Sequence, residues 1–253
     1  MIDLSGKRAF VTGGGRGIGR ATAVLLAQAG ASVAVGYRSR SEDAEETAAA
    51  VGRSGGQAVT IGGDLRDPEV ATRAVEQAVA ALGGLDILIV NHGVWSADDA
   101  ALAQMALEQW AATRSANLDA VFYVCRAAIP RLSAGGRMVL VSSTAGQRGE
   151  AFHADYAATK GAIQSLTKSL ALELAPRITV NCVAPGWVDT EMCERPFGRE
   201  AGSGKREIEA NIPLGRVASP EDIAGPIVFL CSDLARHITG EILNVNGGSV
   251  LCG

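Results

Sequence analysis

The chain has 253 residues, of which 47% are hydrophobic and 20% are charged, and its formal net charge is −4. This composition is typical of a globular α/β protein, and the length predicts a single domain over residues 1–253. The acidic balance disfavours nucleic acid and anionic membrane surfaces as partners, because both attract clustered Lys and Arg side chains.

The cysteines and histidines argue against two further classes of protein. Five cysteines without a C-x-x-C pair do not suggest a disulfide scaffold, and they fit a reducing compartment. The three histidines have no zinc-like spacing, so no metal site is expected. The sequence shows no signal peptide and no apolar run of the roughly 20 residues that a membrane helix needs, so we expect a cytoplasmic protein.

Short apolar runs alternate with helical stretches along the chain. Strands are predicted at Ala9–Thr12, Ser32–Tyr37, Ala58–Ile61, Ile87–Val90, Met138–Ser142, Ile178–Val183 and Glu241–Val245. Helices are predicted at Gly17–Ala29, Glu42–Arg53, Pro68–Leu82, Ser115–Leu132, Asp155–Ala175 and Pro220–Cys231. Strands that are apolar throughout are typical of a covered parallel sheet, and the alternation indicates βαβ units. We therefore predict an α/β fold, a Rossmann-type doubly wound parallel sheet of about seven strands with helices on both faces.

The first strand runs into a glycine-rich turn that opens the first helix. The residues Thr12–Gly19 have the spacing T-G-x-x-x-G-x-G, which differs from the G-x-G-x-x-G fingerprint. Glycine allows the sharp turn and the close approach of a phosphate, and the helix N-terminus offers free N–H groups to it. A plain tight turn is the alternative, but this placement favours a dinucleotide site formed by Gly13, Gly15, Arg16, Gly17, Ile18 and Gly19.

The end of the second strand decides which dinucleotide is expected. It reads Tyr37-Arg38-Ser39 and lacks the carboxylate that usually holds the ribose 2′-hydroxyl of NAD. Arg38, together with Arg16, could grip a 2′-phosphate, although both could also be ordinary solvated side chains. We therefore predict NADP(H) as the cofactor. Asp64 and Leu65 end the third strand, where a carboxylate could accept a hydrogen bond from the adenine amine.

Two sequence features carry acid–base chemistry. Tyr156 and Lys160 are four residues apart, and so lie on one face of a predicted helix. The usual tyrosine pKa of about 10 is lowered by a nearby ammonium and by the positive nicotinamide, which makes the pair a plausible general acid and base. On spacing alone, the pair would be an ordinary helix face. Ser142 and Ser143 end the fifth strand at the sheet edge where ligands of such folds bind.

These motifs together resemble the short-chain dehydrogenase/reductase family. The glycine turn, the serine thirteen positions before the tyrosine and the Y-x-x-x-K spacing carry the resemblance. It continues in Ser115–Leu118, in Val180–Gly186 and in Ile238–Gly248, and so spans nearly the whole chain. The resemblance implies a hydride transfer between the nicotinamide and a carbonyl–alcohol pair, and a homotetramer.

The resemblance also implies a role for each matching residue. Tyr156 would exchange a proton with the substrate oxygen, and Ser143, rather than Ser142, would hydrogen-bond that oxygen. Lys160 would bind the nicotinamide ribose, and Asn117 would hold a water that links Lys160 to solvent. Further cofactor contacts are expected from Asn91, Gly93, Pro185, Gly186, Val188 and Thr190.

One segment departs from the family pattern. After the fourth strand the family usually has N-N-A-G, whereas this chain has Val90-Asn91-His92-Gly93. Val90 stands in place of an asparagine that braces the sheet, so we expect that hydrogen bond to be absent or replaced. For His92 we expect a local packing role rather than a catalytic one.

The sequence gives less information about the substrate than about the fold or the cofactor. Within the family the closest similarity is to 3-oxoacyl-[acyl-carrier-protein] reductases, which makes an acyl carrier protein a possible partner. Its docking would need basic residues, and Arg126, Arg131, Lys168 and Arg177 are candidates without forming a dense cluster. A reductase of a free ketone, steroid or sugar-like alcohol is the rival, and a nucleotide-binding sensor without turnover is the third hypothesis. We expect residues 191–205 to form a mobile substrate loop. The residues expected to border the substrate pocket are Trp95, Glu150, Phe152, His153, Trp187 and Met192.

Overall fold

The computed structural model describes residues 2–96, 98–198 and 203–251. These residues form a parallel seven-stranded sheet in the order β3-β2-β1-β4-β5-β6-β7. The strands are β1 Arg8–Thr12, β2 Ser32–Tyr37, β3 Ala58–Gly62, β4 Leu85–Val90, β5 Leu132–Val141, β6 Ile178–Pro185 and β7 Ile242–Val245. The strand order reverses between β1 and β4, and a crevice opens there at the carboxyl ends of the strands.

Helices cover both faces of this sheet. They are α1 Gly17–Gln28, α2 Ser41–Arg53, α3 Pro68–Leu82, α4 Leu107–Arg114, α5 Ala120–Ala128, α6 Ala145–Arg148, α7 Ala154–Leu174, α8 Glu194–Phe197, α9 Ser203–Ala210 and α10 Pro220–Cys231. One core joins the sheet to α3, α5 and α7, and a second core joins its other face to α1, α2 and α10. The predicted doubly wound α/β fold is therefore confirmed.

Local sequence explains where several of these elements begin. Every residue of β4 is buried, as expected for an apolar strand covered on both faces. Asp67 caps α3, since its side chain accepts hydrogen bonds from the N–H groups of Glu69 and Val70. Ser219 and Asp222 form a reciprocal capping box at the start of α10. The caps fix the loops that lead from the strand ends into the helices.

Three boundaries differ most from the sequence prediction. The helix expected over Ser115–Leu132 already begins as α4 at Leu107, and a π-helical turn over Ser115–Asp119 joins α4 to α5. It also ends earlier than expected, at Ala128, and a 3₁₀ turn over Ile129–Arg131 leads into β5. The polar residues of α4 hide its period, because only Thr113 among them is buried. The fifth strand was expected from Met138 but begins at Leu132, where Gly135 and Gly136 interrupt the apolar pattern and the register with β4 shifts.

The stretch expected to be a mobile loop contains short helices. A 3₁₀ turn over Glu191–Cys193 leads into α8, and α9 follows. Residues 199–202 lie outside the described part of the chain, and the mobility of this stretch stays a prediction. Among the described residues, no helix has both the length and the apolarity needed to span a membrane.

Candidate active site

A cleft of about 750 Å³ opens at the carboxyl edge of the sheet. It runs from the glycine turn, past the reversal point between β1 and β4, to the start of α7. The residues expected to bind cofactor or substrate that line it are Gly13, Gly15, Arg16, Gly17, Ile18, Tyr37, Arg38, Ser39, Asp64, Leu65, Asn91, Gly93, Trp95, Ser143, Tyr156, Lys160, Pro185, Gly186, Trp187, Val188 and Thr190. Residues from six strand ends thus meet in one cavity.

The glycine turn has the backbone that a phosphate cradle requires. Gly13 and Gly17 adopt positive φ angles of 63° and 51°, which side chains other than glycine rarely tolerate. Gly19 does not line the cleft. A Cβ atom there would lie 2.8 Å from the carbonyl carbon of Gly13 and 2.7 Å from Nδ2 of Asn91, so this glycine lets α1 begin directly against β1. The turn fits a pyrophosphate at the N-terminus of α1.

Asn91 supplies the brace between β1 and β4. Its Nδ2 donates to the carbonyl oxygens of Gly13 at 3.0 Å and Thr12 at 3.3 Å, and its N–H donates to Thr12 Oγ1 at 3.1 Å. Val90 is buried in the core instead. Val90 cannot make the bracing hydrogen bond of an asparagine, and Asn91, the next residue, joins the ends of β1 and β4 instead.

His92 lies beside this brace. Its Nδ1 is 2.8 Å from Thr12 Oγ1. Burial, together with the smaller effect of the Lys160 charge, lowers the pKa of His92 to about 4. The imidazole is therefore neutral at pH 7 and cannot act as a proton donor of ordinary strength, which agrees with a packing role.

Three arginines surround the end of β2. Arg16 and Arg40 both form ion pairs with Glu191, the second at 2.8 Å. Arg38 is exposed and has no hydrogen-bond or ion-pair partner among the described residues. The sequence did not point to Arg40 or Glu191, because Glu191 reaches this corner only through the tertiary fold.

The carboxylate at the end of β3 is already engaged. Arg66 donates from Nε to both oxygens of Asp64, at 2.9 and 3.0 Å. The hydrogen bonds from Arg66 are the largest cause that lowers the pKa of Asp64. Asp64 is thus held ionised at the cleft wall, where it can still accept a hydrogen bond from an adenine amine.

Tyr156 and Lys160 lie one turn apart on α7, with Lys160 Nζ 5.7 Å from the centre of the Tyr156 ring. The ammonium is buried and donates to the carbonyl oxygen of Val141 at 2.9 Å. Among the described residues this is its one hydrogen bond, although an ammonium has three donors. The two remaining donors fit the vicinal hydroxyls of a ribose.

Burial acts on both groups of this pair. It raises the pKa of the Tyr156 phenol, while a hydrogen bond with Ser143 partly opposes the rise. It lowers the pKa of Lys160 to about 8. The lowered tyrosine pKa expected from the sequence is therefore not found in the chain alone. The phenol is protonated and ready to donate, and only further positive charge would favour the phenolate.

The two serines at the end of β5 have different partners. Ser142 is buried and donates from Oγ to the carbonyl oxygen of Lys160 at 2.7 Å. Ser143 lines the cleft, and its Oγ accepts from the Ala145 N–H at 3.2 Å. Gln164, which the sequence did not single out, donates to Ser142 Oγ at 3.0 Å and to the Ser143 carbonyl at 3.1 Å. Both serines line the cleft, but the Ser142 hydroxyl is already donated to a backbone carbonyl, so Ser143 is the better candidate to hydrogen-bond a substrate.

Asn117 lies in the π-helical turn between α4 and α5. Its Oδ1 accepts from the Val94 N–H at 2.7 Å, and its Nδ2 donates to the Val94 carbonyl at 2.8 Å. A Cβ atom on Gly93 would lie 3.3 Å from Asn117 Oδ1 and 3.4 Å from Lys160 Nζ, so the glycine leaves room for both side chains. Asn117 thus ties the exit of β4 to this turn beside the buried ammonium.

The expected substrate residues divide into two groups. Trp95 and Trp187 line the cleft and meet edge to face, with ring centroids 6.3 Å apart. His153 is buried behind Trp95, with the two rings stacked at 4.7 Å. Phe152 has a φ of 65°, is 54% exposed and lies outside the cleft wall, so the structure does not bring it to the substrate.

The fold and the cleft define a class of protein, an oxidoreductase that binds a nicotinamide dinucleotide. A family model described as enoyl-(acyl carrier protein) reductase matches residues 13–249. The 3-oxoacyl-[acyl-carrier-protein] reductase of Aquifex aeolicus is 39% identical over 254 residues, which cover 98% of each chain.

Two further comparisons point the same way. The L-rhamnose 1-dehydrogenase (NAD(P)(+)) of a Sphingomonas species is 38% identical, again over 98% of each chain. A short-chain dehydrogenase of Burkholderia cenocepacia, solved in complex with NADP, superimposes with a TM-score of 0.89 at 36% identity, over 97% of this chain and 98% of the other. The chain belongs to the short-chain dehydrogenase/reductase family.

Proposed function

We propose that the protein is an NADP(H)-dependent oxidoreductase that moves a hydride between the nicotinamide and a carbonyl–secondary alcohol pair. The observation that carries this proposal is the meeting of Ser143, Tyr156 and Lys160 at one end of a cleft whose other end is a glycine turn. When bound, the nicotinamide supplies the hydride in reduction and takes it in oxidation.

In reduction, Ser143 hydrogen-bonds the carbonyl oxygen of the substrate and holds it near the Tyr156 hydroxyl. Tyr156 gives its proton to that oxygen as negative charge develops there, and the Lys160 ammonium stabilises the resulting phenolate. Lys160 would also hold the ribose through its two remaining donors. In oxidation the proton transfer is reversed, and the phenolate of Tyr156 accepts the proton of the alcohol.

The free guanidinium of Arg38 supports the choice of NADP(H). A charge-assisted hydrogen bond contributes about 1.5–3 kcal/mol, so Arg38→Ser should weaken NADPH binding by about 10- to 150-fold. NADH binding should change little, since NADH lacks the 2′-phosphate. Fluorescence titration gives the two dissociation constants, and kcat/KM with each cofactor gives the preference. Equal kcat/KM values for NADPH and NADH in the wild type would reject the assignment.

For the substrate, we propose a free carbonyl compound first. A 3-oxoacyl thioester on an acyl carrier protein is the second candidate, favoured by the resemblance and by the name of the Aquifex relative. Two of its expected docking residues lie at the amino edge of the sheet: Arg177 donates to the Leu132 carbonyl at 2.8 Å, and Arg131 pairs with Glu76. Within one chain this edge is opposite the cleft. Rates with acetoacetyl thioesters and with a ketone panel separate the two candidates.

We also propose a cytoplasmic homotetramer, as the family resemblance implies. Phe122 on α5 and Leu172 on α7 are 50% and 84% exposed, and helix-to-helix contacts between subunits would bury them. Light scattering coupled to size-exclusion chromatography measures the subunit number, and a monomer would exclude this assembly.

A further inference from the structure

A partly buried carboxylate stands at the substrate end of the cleft. Glu150 lines both this cleft and the smaller cavity beside it, and its side chain is only 16% exposed. Tyr156 lines the same cleft, and the charge of Glu150 raises the pKa of the Tyr156 phenol. Nothing in the mechanism above uses this carboxylate.

Only one oxygen of Glu150 has a partner in the described residues. The Trp95 indole donates to Oε1 at 3.2 Å, and His153 Nδ1 lies 3.7 Å from the same atom. Oε2 has no hydrogen-bond partner there, and no described Lys or Arg side chain forms an ion pair with the carboxylate. A ligand that fills the cleft would take water away from Oε2, and a carboxylate oxygen without water or a hydrogen bond is costly, so this oxygen is suited to a donor that arrives with the ligand.

The wall that holds Glu150 is preorganised. Trp95 is stacked on His153 with 20° between the ring planes, and Trp187 meets it edge to face at 83°. His153 is itself buried, with Nδ1 3.2 Å from the Ala151 carbonyl oxygen. The carboxylate therefore does not need to reorganise to accept a ligand hydrogen bond.

We propose that Glu150 accepts a hydrogen bond from a hydroxyl group near the reacting carbon, so that the substrate is a hydroxylated carbonyl compound or the corresponding sugar-like alcohol. This inference rests on the proposed carbonyl–alcohol chemistry. A 3-oxoacyl thioester carries no hydroxyl at that position and would leave the carboxylate oxygen unpaired. A cationic substrate is disfavoured, because Arg148 lines the same cleft and its positive charge already acts on Glu150.

Matched substrates test the proposal. With NADPH, kcat/KM for 2-hydroxycyclohexanone should exceed that for cyclohexanone by about 10- to 100-fold, the range of one hydrogen bond to a charged acceptor. In Glu150→Ala the ratio should fall to near one. Glu150→Gln keeps an acceptor for the Trp95 indole but loses the charge, and should give an intermediate ratio.

The control variant is Glu173→Gln, an exposed carboxylate on α7 with no hydrogen bond or ion pair to another described side chain, which should keep the wild-type ratio. Because each variant is judged by the ratio of two substrates, a general loss of activity does not imitate the effect. Thermal unfolding and fluorescence titration with NADPH show that each variant is folded and that its dinucleotide half is intact.

The experiment distinguishes a failure of this inference from a failure of the proposed function. Turnover of both ketones at equal rates in the wild type would overturn this inference and leave the proposed function standing. No NADPH oxidation with any carbonyl compound would overturn both. If the enzyme prefers N-methyl-3-piperidone over 2-hydroxycyclohexanone, and if Glu150→Ala removes that preference, then Glu150 recognises an ammonium group and the proposed hydroxyl is wrong. A preference for the N-acetylcysteamine thioester of acetoacetate would reject the hydroxylated substrate.

Discussion

Replacing Gly19 by alanine tests whether the glycine turn depends on close backbone packing. The new methyl group would overlap the Gly13 carbonyl group and lie 2.7 Å from Nδ2 of Asn91, whereas ordinary contacts begin at 3.4 Å. The first turn of α1 and the end of β1 must therefore separate by at least half an ångström. Such overpacking costs about 1–3 kcal/mol, or a Tm decrease of about 2–12 °C in a domain of this size.

The same shift moves the N–H groups that hold the pyrophosphate. A displacement of this size can lower function by about 100-fold, so we expect NADPH affinity to fall by at least about ten-fold. Gly52→Ala is the control, because Gly52 lies in α2 with no atom within 4 Å of its added Cβ. There alanine should stabilise the fold by about 0.5–1 kcal/mol and leave NADPH affinity unchanged. Calorimetry and fluorescence titration measure both quantities, and wild-type affinity in Gly19→Ala would refute the reasoning.

Three further predictions concern the site and the opposite edge of the sheet. Tyr156→Phe should lower kcat by at least about 100-fold, whereas His92→Ala should keep most of the turnover, as steady-state rates with NADPH will show. Lys160→Met should abolish turnover yet raise the Tm of the cofactor-free protein at pH 7, because it removes a buried charge. The Lys160 pKa is about 8 in the folded chain against 10.5 otherwise, so the folded chain binds fewer protons between these values and wild-type stability should rise with pH there. Arg8→Met should lower the free energy of unfolding by about 1–3 kcal/mol without changing KM, since Asp86 loses hydrogen bonds of 2.7 and 3.0 Å far from the cleft.

Each of these expectations has a contrary result. An active Tyr156→Phe enzyme would break the proton-transfer mechanism, and an inactive but folded His92→Ala enzyme would give the imidazole a functional role. A Lys160→Met protein whose stability still rises between pH 8 and 10.5 would show that another group titrates there. A large KM change in Arg8→Met would mean that the amino edge of the sheet communicates with the cleft.

Sequence patterns within short segments were sufficient to predict the fold and the pairing of Tyr156 with Lys160. The apolar runs and helix caps predicted the strands of the sheet and most of the helices, because burial on both faces imposes a simple pattern on each segment. Tyr156 and Lys160 could be paired from sequence since their spacing is fixed by one turn of α7. The start of α4 was missed because its side chains face solvent or polar partners and carry no clear period.

What the sequence by itself determined is therefore the doubly wound sheet, the glycine turn and the one-turn spacing of Tyr156 and Lys160, all of which follow from residues close together in the chain. Only the tertiary structure decided how the sheet is braced through Asn91 and which arginine near β2 stays free. The sequence placed Glu150 at the substrate pocket, but only the structure shows that one of its oxygens has no hydrogen-bond partner among the described residues. The physical reason is that hydrogen bonds, burial and charge depend on neighbours in space. Glu191 meets Arg16 across 175 residues of chain, and no local pattern records that contact.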